Sequence, residues 1–94
     1  MNIYLDDERQ APKGWLQVKT VEALVASLKK HKGKINTVSL DYHLGYGYPL
    51  TGLDAAYAII SLWETGYPLF DVTVHSDHPD SYKIKNAIFK YRRG

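Results

Sequence analysis

Apolar and polar positions alternate along the chain in blocks whose lengths and periods predict a succession of strands and helices. Residues 2–5, Asn2-Ile3-Tyr4-Leu5, form a short apolar run that stops at Asp6, the mark of a buried strand. A turn-rich stretch from Gln10 to Gly14 follows, with Pro12 inside it, and Trp15 to Lys19 alternates as a second short strand would. Thr20 stands as an N-cap before Val21, Leu24, Val25 and Leu28, which recur at helical spacing. Lys29, Lys30 and Lys32 suit the end of that helix near Gly33. Residues 35–40 are β-rich and stop at Asp41. Thr51 with Asp54 three residues on reads as a capping box, opening a broadly apolar helix from Leu53 to Thr65 that Gly66 and Pro68 end. Residues 70–74 read as a last strand. Pro79, followed by Ile84, Ala87, Ile88 and Tyr91, then predicts a closing helix. The order β-β-α-β-α-β-α predicts an α/β fold: a parallel sheet of about four strands with about three helices and right-handed crossovers.

Length and composition narrow the class. At 94 residues the chain holds one domain, residues 1–94, and 45% hydrophobic with 23% charged residues is the balance of a folded globule. No apolar run is long enough to span a membrane, and the first residues lead straight into acids, so neither a membrane segment nor a signal peptide is expected. The absence of cysteine excludes disulfides, zinc ribbons and thiol nucleophiles, and a cytoplasmic location is the expectation. A net charge of +2 is too small to argue for nucleic acid. The core of so small a domain is thin, and a homodimer would add to it.

The polar residues fall where chemistry is built in open parallel sheets, beyond the carboxyl ends of the strands. Three apolar strands end in Asp6-Asp7-Glu8, in Asp41-Tyr42-His43 and in His75-Ser76. If the strands are neighbours, these groups converge. Carboxylates gathered at one edge repel unless a cation compensates them, and hard oxygen ligands suit Mg²⁺ or Mn²⁺, which in turn bind phosphate oxygens. Asp6, Asp7 and Asp41 are therefore candidate metal ligands; the plainer role for the first two is to cap a turn. His43 and His75 can move protons, with Asp41 as an orienting partner, or serve only as hydrogen-bonding loop residues. Ser76 lacks the glycine elbow of a serine nucleophile, so holding a phosphate oxygen or capping the next helix suits it better. In the Gly45–Pro49 loop, Tyr46 can stack on a base or be ordinary loop surface. Lys83 can supplement the last helix's N-terminus toward an anion or sit on a solvated face.

Leu5-Asp6-Asp7-Glu8-Arg9, Ser39-Leu40-Asp41 and Val74-His75-Ser76 together resemble a response-regulator receiver domain. The resemblance is closer to the cyclic-phosphate processing receiver-like domains, through Pro12, Gly14-Trp15, His43-Leu44-Gly45, Thr51-Gly52 and Pro79 as well. It implies a minimal receiver-like, flavodoxin-like sheet, with paired acids on Mg²⁺, Asp41 at the phosphoryl group and the Ser76 hydroxyl against it. The substrate class it implies is a cyclic phosphate of a nucleotide or ADP-ribose type. Two departures count against phosphorelay signalling: the helix expected between the first two strands is replaced by Gln10–Gly14, and no fifth strand with its lysine follows.

The reading that results is a metal-dependent phosphoesterase in which Asp41, His43, His75 and Ser76 act on the phosphate and Thr51, Tyr46 and Lys83 contact the ligand. Its competitors are a receiver-like module that binds a phosphorylated nucleotide or a protein partner without turnover, a signalling receiver phosphorylated on Asp41, and a purely structural protein. Enzyme activity is thus an expectation for experiment to decide.

Overall fold

The computed structural model describes all 94 residues. Seven elements follow in the expected order: β1 (Asn2–Leu5), β2 (Leu16–Val18), α1 (Val21–Lys30), β3 (Thr37–Leu40), α2 (Gly52–Glu64), β4 (Asp71–Val74) and α3 (Tyr82–Arg93). The four strands form one sheet in the order β2-β1-β3-β4, and every pairing is parallel. This is the receiver-like, flavodoxin-like arrangement. No helix is long and apolar enough to cross a membrane.

Local chemistry accounts for the boundaries. Thr20 accepts a hydrogen bond from the Ala23 N–H and starts α1. Thr51 and Asp54 form the capping box at α2. At the far end of α1, the Tyr67 hydroxyl donates to the Leu28 carbonyl at 2.6 Å, satisfying one of the acceptors a helix end leaves free. The closing helix begins later than Pro79. Residues 78–84 enter it through tight three-residue-apart bonds, and Ser81 caps it with no side-chain bond.

The strands alternate, and the alternation sorts the sheet into two unlike faces. Ile3 and Leu5 of β1 and Val38 and Leu40 of β3 are fully buried in one cluster with Leu24, Leu28, Ile59 and Ile84 from the helices. Moving from β2 to β3 and from β3 to β4 crosses the sheet in one direction, so right-handed connections place α1 and α2 on the same face. The third helix packs chiefly on α2 and joins them there. The closing helix therefore does not cover the second face.

Residues 6–15, standing in place of a helix between β1 and β2, cover part of that second face instead. Trp15 packs edge-on against Tyr4, with ring centroids 6.1 Å apart, and leaves Tyr4 only 7% exposed. Gln17 braces the segment from β2: its amide donates to the carbonyls of Asp6 and Arg9 and accepts from the Ala11 N–H.

Candidate functional site

Register explains why the site residues meet. Tyr4 pairs with Ser39, and Ser39 with Thr73, so these three lie in one row across β1, β3 and β4. Two residues further along each strand, on the same side, come Asp6, Asp41 and His75. Their candidate ligand atoms, two carboxylate oxygens and an imidazole nitrogen, all lie within 4.8 Å of one another. The convergence expected of the three strand ends is thus present, at the carboxyl edge of the sheet.

Each member is held differently. Asp6 is 2% exposed, and its Oδ1 accepts from the N–H groups of Glu8 and Arg9 at 2.9 and 2.8 Å. Its Oδ2 lies 3.0 Å from Nε2 of His75. Burial alone would raise the Asp6 pKa, but the two backbone donors and His75 together outweigh it and hold the carboxyl below its ordinary value. Asp41 moves the other way: burial, joined by the negative charge of Asp6, raises its pKa against the opposing pull of the Tyr42 N–H, Ser76 and His75. Tyr42 N–H donates to Asp41 Oδ1 at 2.8 Å.

His75 is the most constrained of the three. Its ring stacks on Tyr4 at 3.9 Å and 9° between planes, Nδ1 is 2.7 Å from the Ser39 hydroxyl, and Nε2 faces Asp6. Its carbonyl also accepts from Arg9 Nη1 at 3.0 Å. An unbroken line of contacts therefore runs Ser39–His75–Asp6 across three strands.

The other candidates are placed less centrally. Asp7 stands one residue out of the row, and its carboxylate lies against Gly45, where a Cβ would come within 2.9 Å of Oδ2. The hydroxyl of Ser76 sits beside Asp41 and accepts from the His78 N–H. His43 is exposed on the segment that bridges to Thr51, and its ring has no hydrogen-bond partner. Thr51 spends its hydroxyl on the α2 cap. Tyr46 is fully exposed at the loop tip, while Tyr48 ties that loop to α1 by accepting from the Val21 N–H and donating to Glu22. Lys83 lies 3.6 Å from Asp80, one turn away.

Ser39 and Tyr4 were not among the residues expected to build the site. The signal for both was the two-residue period, since each precedes a site residue by two in its strand.

The sequence model of the cyclic-phosphate processing receiver domain matches residues 1–88. The chain belongs to that family. The match takes in every residue of the Asp6–Asp41–His75 row and runs into α3 as far as Ile88 in this receiver domain. No curated protein and no solved structure matches the chain.

Proposed function

We propose that this receiver domain is a divalent-metal-dependent phosphoesterase acting on a cyclic phosphate of a nucleotide or ADP-ribose type. The observation that carries the reading is the row of Asp6, Asp41 and His75 with ligand atoms within 4.8 Å at the sheet's carboxyl edge. The donor set fits a divalent cation. Two carboxylates share one edge, one of them is pushed up by burial and by the other's charge, and a cation would relieve both effects. The carboxylate oxygens of Asp6 and Asp41 are hard ligands that suit Mg²⁺ or Mn²⁺, and His75 beside them is left to carry a proton. Such an ion would draw charge from a phosphoryl oxygen and ease attack on phosphorus.

The chain's own groups supply the remaining steps. Asp41 takes a proton from the attacking water as the ring P–O bond breaks; in a covalent variant its carboxylate attacks phosphorus first. The Ser76 hydroxyl, beside Asp41, donates to a nonbridging oxygen. His75, as imidazolium, keeps its Nδ1 proton on Ser39 and gives the Nε2 proton to the leaving oxygen. His43 assists from the exposed bridge, and Tyr46, Thr51 and Lys83 contact the nucleotide portion.

One observation favours a second reading, a module that binds the ligand without turnover. Both ring nitrogens of His75 are engaged and its side chain is only 14% exposed, which suits a fixed scaffold better than a proton donor. Phosphorus NMR separates the two. With Mn²⁺ and a panel of nucleoside 2′,3′-cyclic phosphates and ADP-ribose cyclic phosphate, the enzyme converts a cyclic resonance to a monoester, and Asp41→Asn and His75→Ala abolish the conversion. Broadening without conversion supports the binding module. A spectrum unchanged across the panel removes both readings for these ligands.

A further inference from the structure

A second feature lies away from the Asp6 site, along the free edge of the sheet. β4 has β3 on one side and no strand on the other. Asp71 and His75 donate their N–H groups to β3-side carbonyls, those of Asn36 and Leu40. In a parallel pair, bonding residues alternate, so Val72 and Val74 aim their N–H and C=O groups at the open edge. Beside that edge runs a groove of about 680 Å³ between β4 and α3. Its apolar floor includes Val72, Val74, Ile88 and Phe89, and Lys85 and Arg92 stand over it. Phe89 is 64% exposed, the most open of the large aliphatic and phenylalanine side chains.

We infer that this edge and groove dock an extended acidic segment of a partner protein, which adds to β4 as a fifth strand. Three observations select that occupant. The unpaired N–H and C=O groups of Val72 and Val74 have the spacing of a strand, which a peptide backbone matches and a nucleic-acid backbone does not. A strand seated about 4.8 Å from β4 would turn alternate side chains over Ile88 and Phe89. The charge decides between an acidic partner and a second copy of this chain: α3 carries Lys83, Lys85, Lys90, Arg92 and Arg93 and no acidic residue. Pairing β4 with β4 of a second copy would bring two such helices together along the joined edge. Lys85 has no acidic partner in the fold and remains available to carboxylates, whereas Arg92 is held by the Phe70 carbonyl at 3.0 Å and by Asp71 at 3.8 Å.

The test uses the intact domain and a fluorescein-labelled peptide in which valine and threonine alternate between paired aspartates. Fluorescence anisotropy should show saturable binding below about 1 mM. Lys85→Glu should weaken it at least about tenfold. Phe89→Asp, a change on an exposed position that leaves the core intact, should weaken it further. The same peptide with every amide N-methylated, or with lysines in place of its aspartates, should not bind. Saturation that survives N-methylation overturns the strand-addition mode. So does an absence of binding, whether or not sedimentation shows the domain self-associating through the Phe89 face.

Discussion

Gly52→Ala sets helix propensity against steric fit, and the two predict opposite signs. Gly52 is the first residue of α2 and is buried, and its φ lies outside the left-handed region. Propensity alone makes alanine better there by about 1 kcal/mol, and the lost flexibility of the unfolded chain adds to that gain. The structure says otherwise. A Cβ at residue 52 would lie 1.9 Å from the Asp41 carbonyl oxygen and 2.8 Å from Cδ1 of Ile84. Ile84 is fully buried and can shift only against its core neighbours, and the Asp41 carbonyl is backbone and cannot turn away. The start of α2 must therefore move back, straining the 2.7 Å bond from the Gly52 N–H to the Tyr42 carbonyl and the cap at Thr51.

Loss of a buried hydrogen bond and of a cap costs on the order of 1–2 kcal/mol each, and overpacking at Ile84 adds a similar amount. After the gain from propensity, Gly52→Ala should destabilise the domain by about 3 kcal/mol. That is a large share of the roughly 5–10 kcal/mol expected for a chain this size. Urea unfolding followed by tryptophan fluorescence measures it, with Gly66→Ala as the reference. Gly66 has φ of +98° and nothing within 4 Å of its Cβ, so alanine there meets only backbone strain of about 1 kcal/mol. A Gly52→Ala variant as stable as the parent, or less damaged than Gly66→Ala, would refute the steric account.

The two clustered aspartates should respond to asparagine with opposite signs. Asp41, raised above its ordinary value of 3.8, is destabilising when ionised, so Asp41→Asn should raise the Tm at neutral pH, and the gain should vanish as pH falls below 3.8. Asp6 is lowered, so its carboxylate stabilises the fold above 3.8; Asp6→Asn should lower the neutral-pH Tm, with the deficit fading as pH falls through the native pKa. Mn²⁺ at a hundred times its Kd should stabilise the parent by about 2.7 kcal/mol in thermal scans, and Asp41→Asn should remove most of that shift; equal shifts in both would place the ion elsewhere. Tyr67→Phe leaves the buried Leu28 carbonyl without its donor and should cost about 1–2 kcal/mol in urea unfolding.

Much of this architecture was legible in the sequence because its signals are local. Thr20 and the Thr51–Asp54 pair marked two helix starts, and both caps are made. The apolar runs ending at Asp6, Asp41 and His75 marked the sheet's carboxyl edge, where parallel neighbours bring those groups together. What was not legible depends on contacts between distant segments. Nothing local marks Gly52, which makes room for the Asp41 carbonyl. The Lys83–Asp80 pairing follows from the turn that delays α3 beyond Pro79. The engagement of His75 with Ser39 needs the register of β3 against β4, which no single segment encodes.

That register also ties the site to the unusual covering of the sheet. The row that ends in Asp6, Asp41 and His75 continues the face carrying Tyr4, Ser39 and Thr73, which has no helix over it. A helix packed flat on that face would compete for the space in which the His75 ring stacks on Tyr4. Residues 6–15 leave that space to the ring, because they cross the face as a loop and cover part of it with Trp15. The same segment supplies Asp6, the backbone donors that keep its carboxyl ionised, and the Arg9 side chain that binds the His75 carbonyl. Replacing the helix is therefore part of how the site is built: one short loop, braced by Gln17, both covers the sheet and fixes two of the three groups that converge.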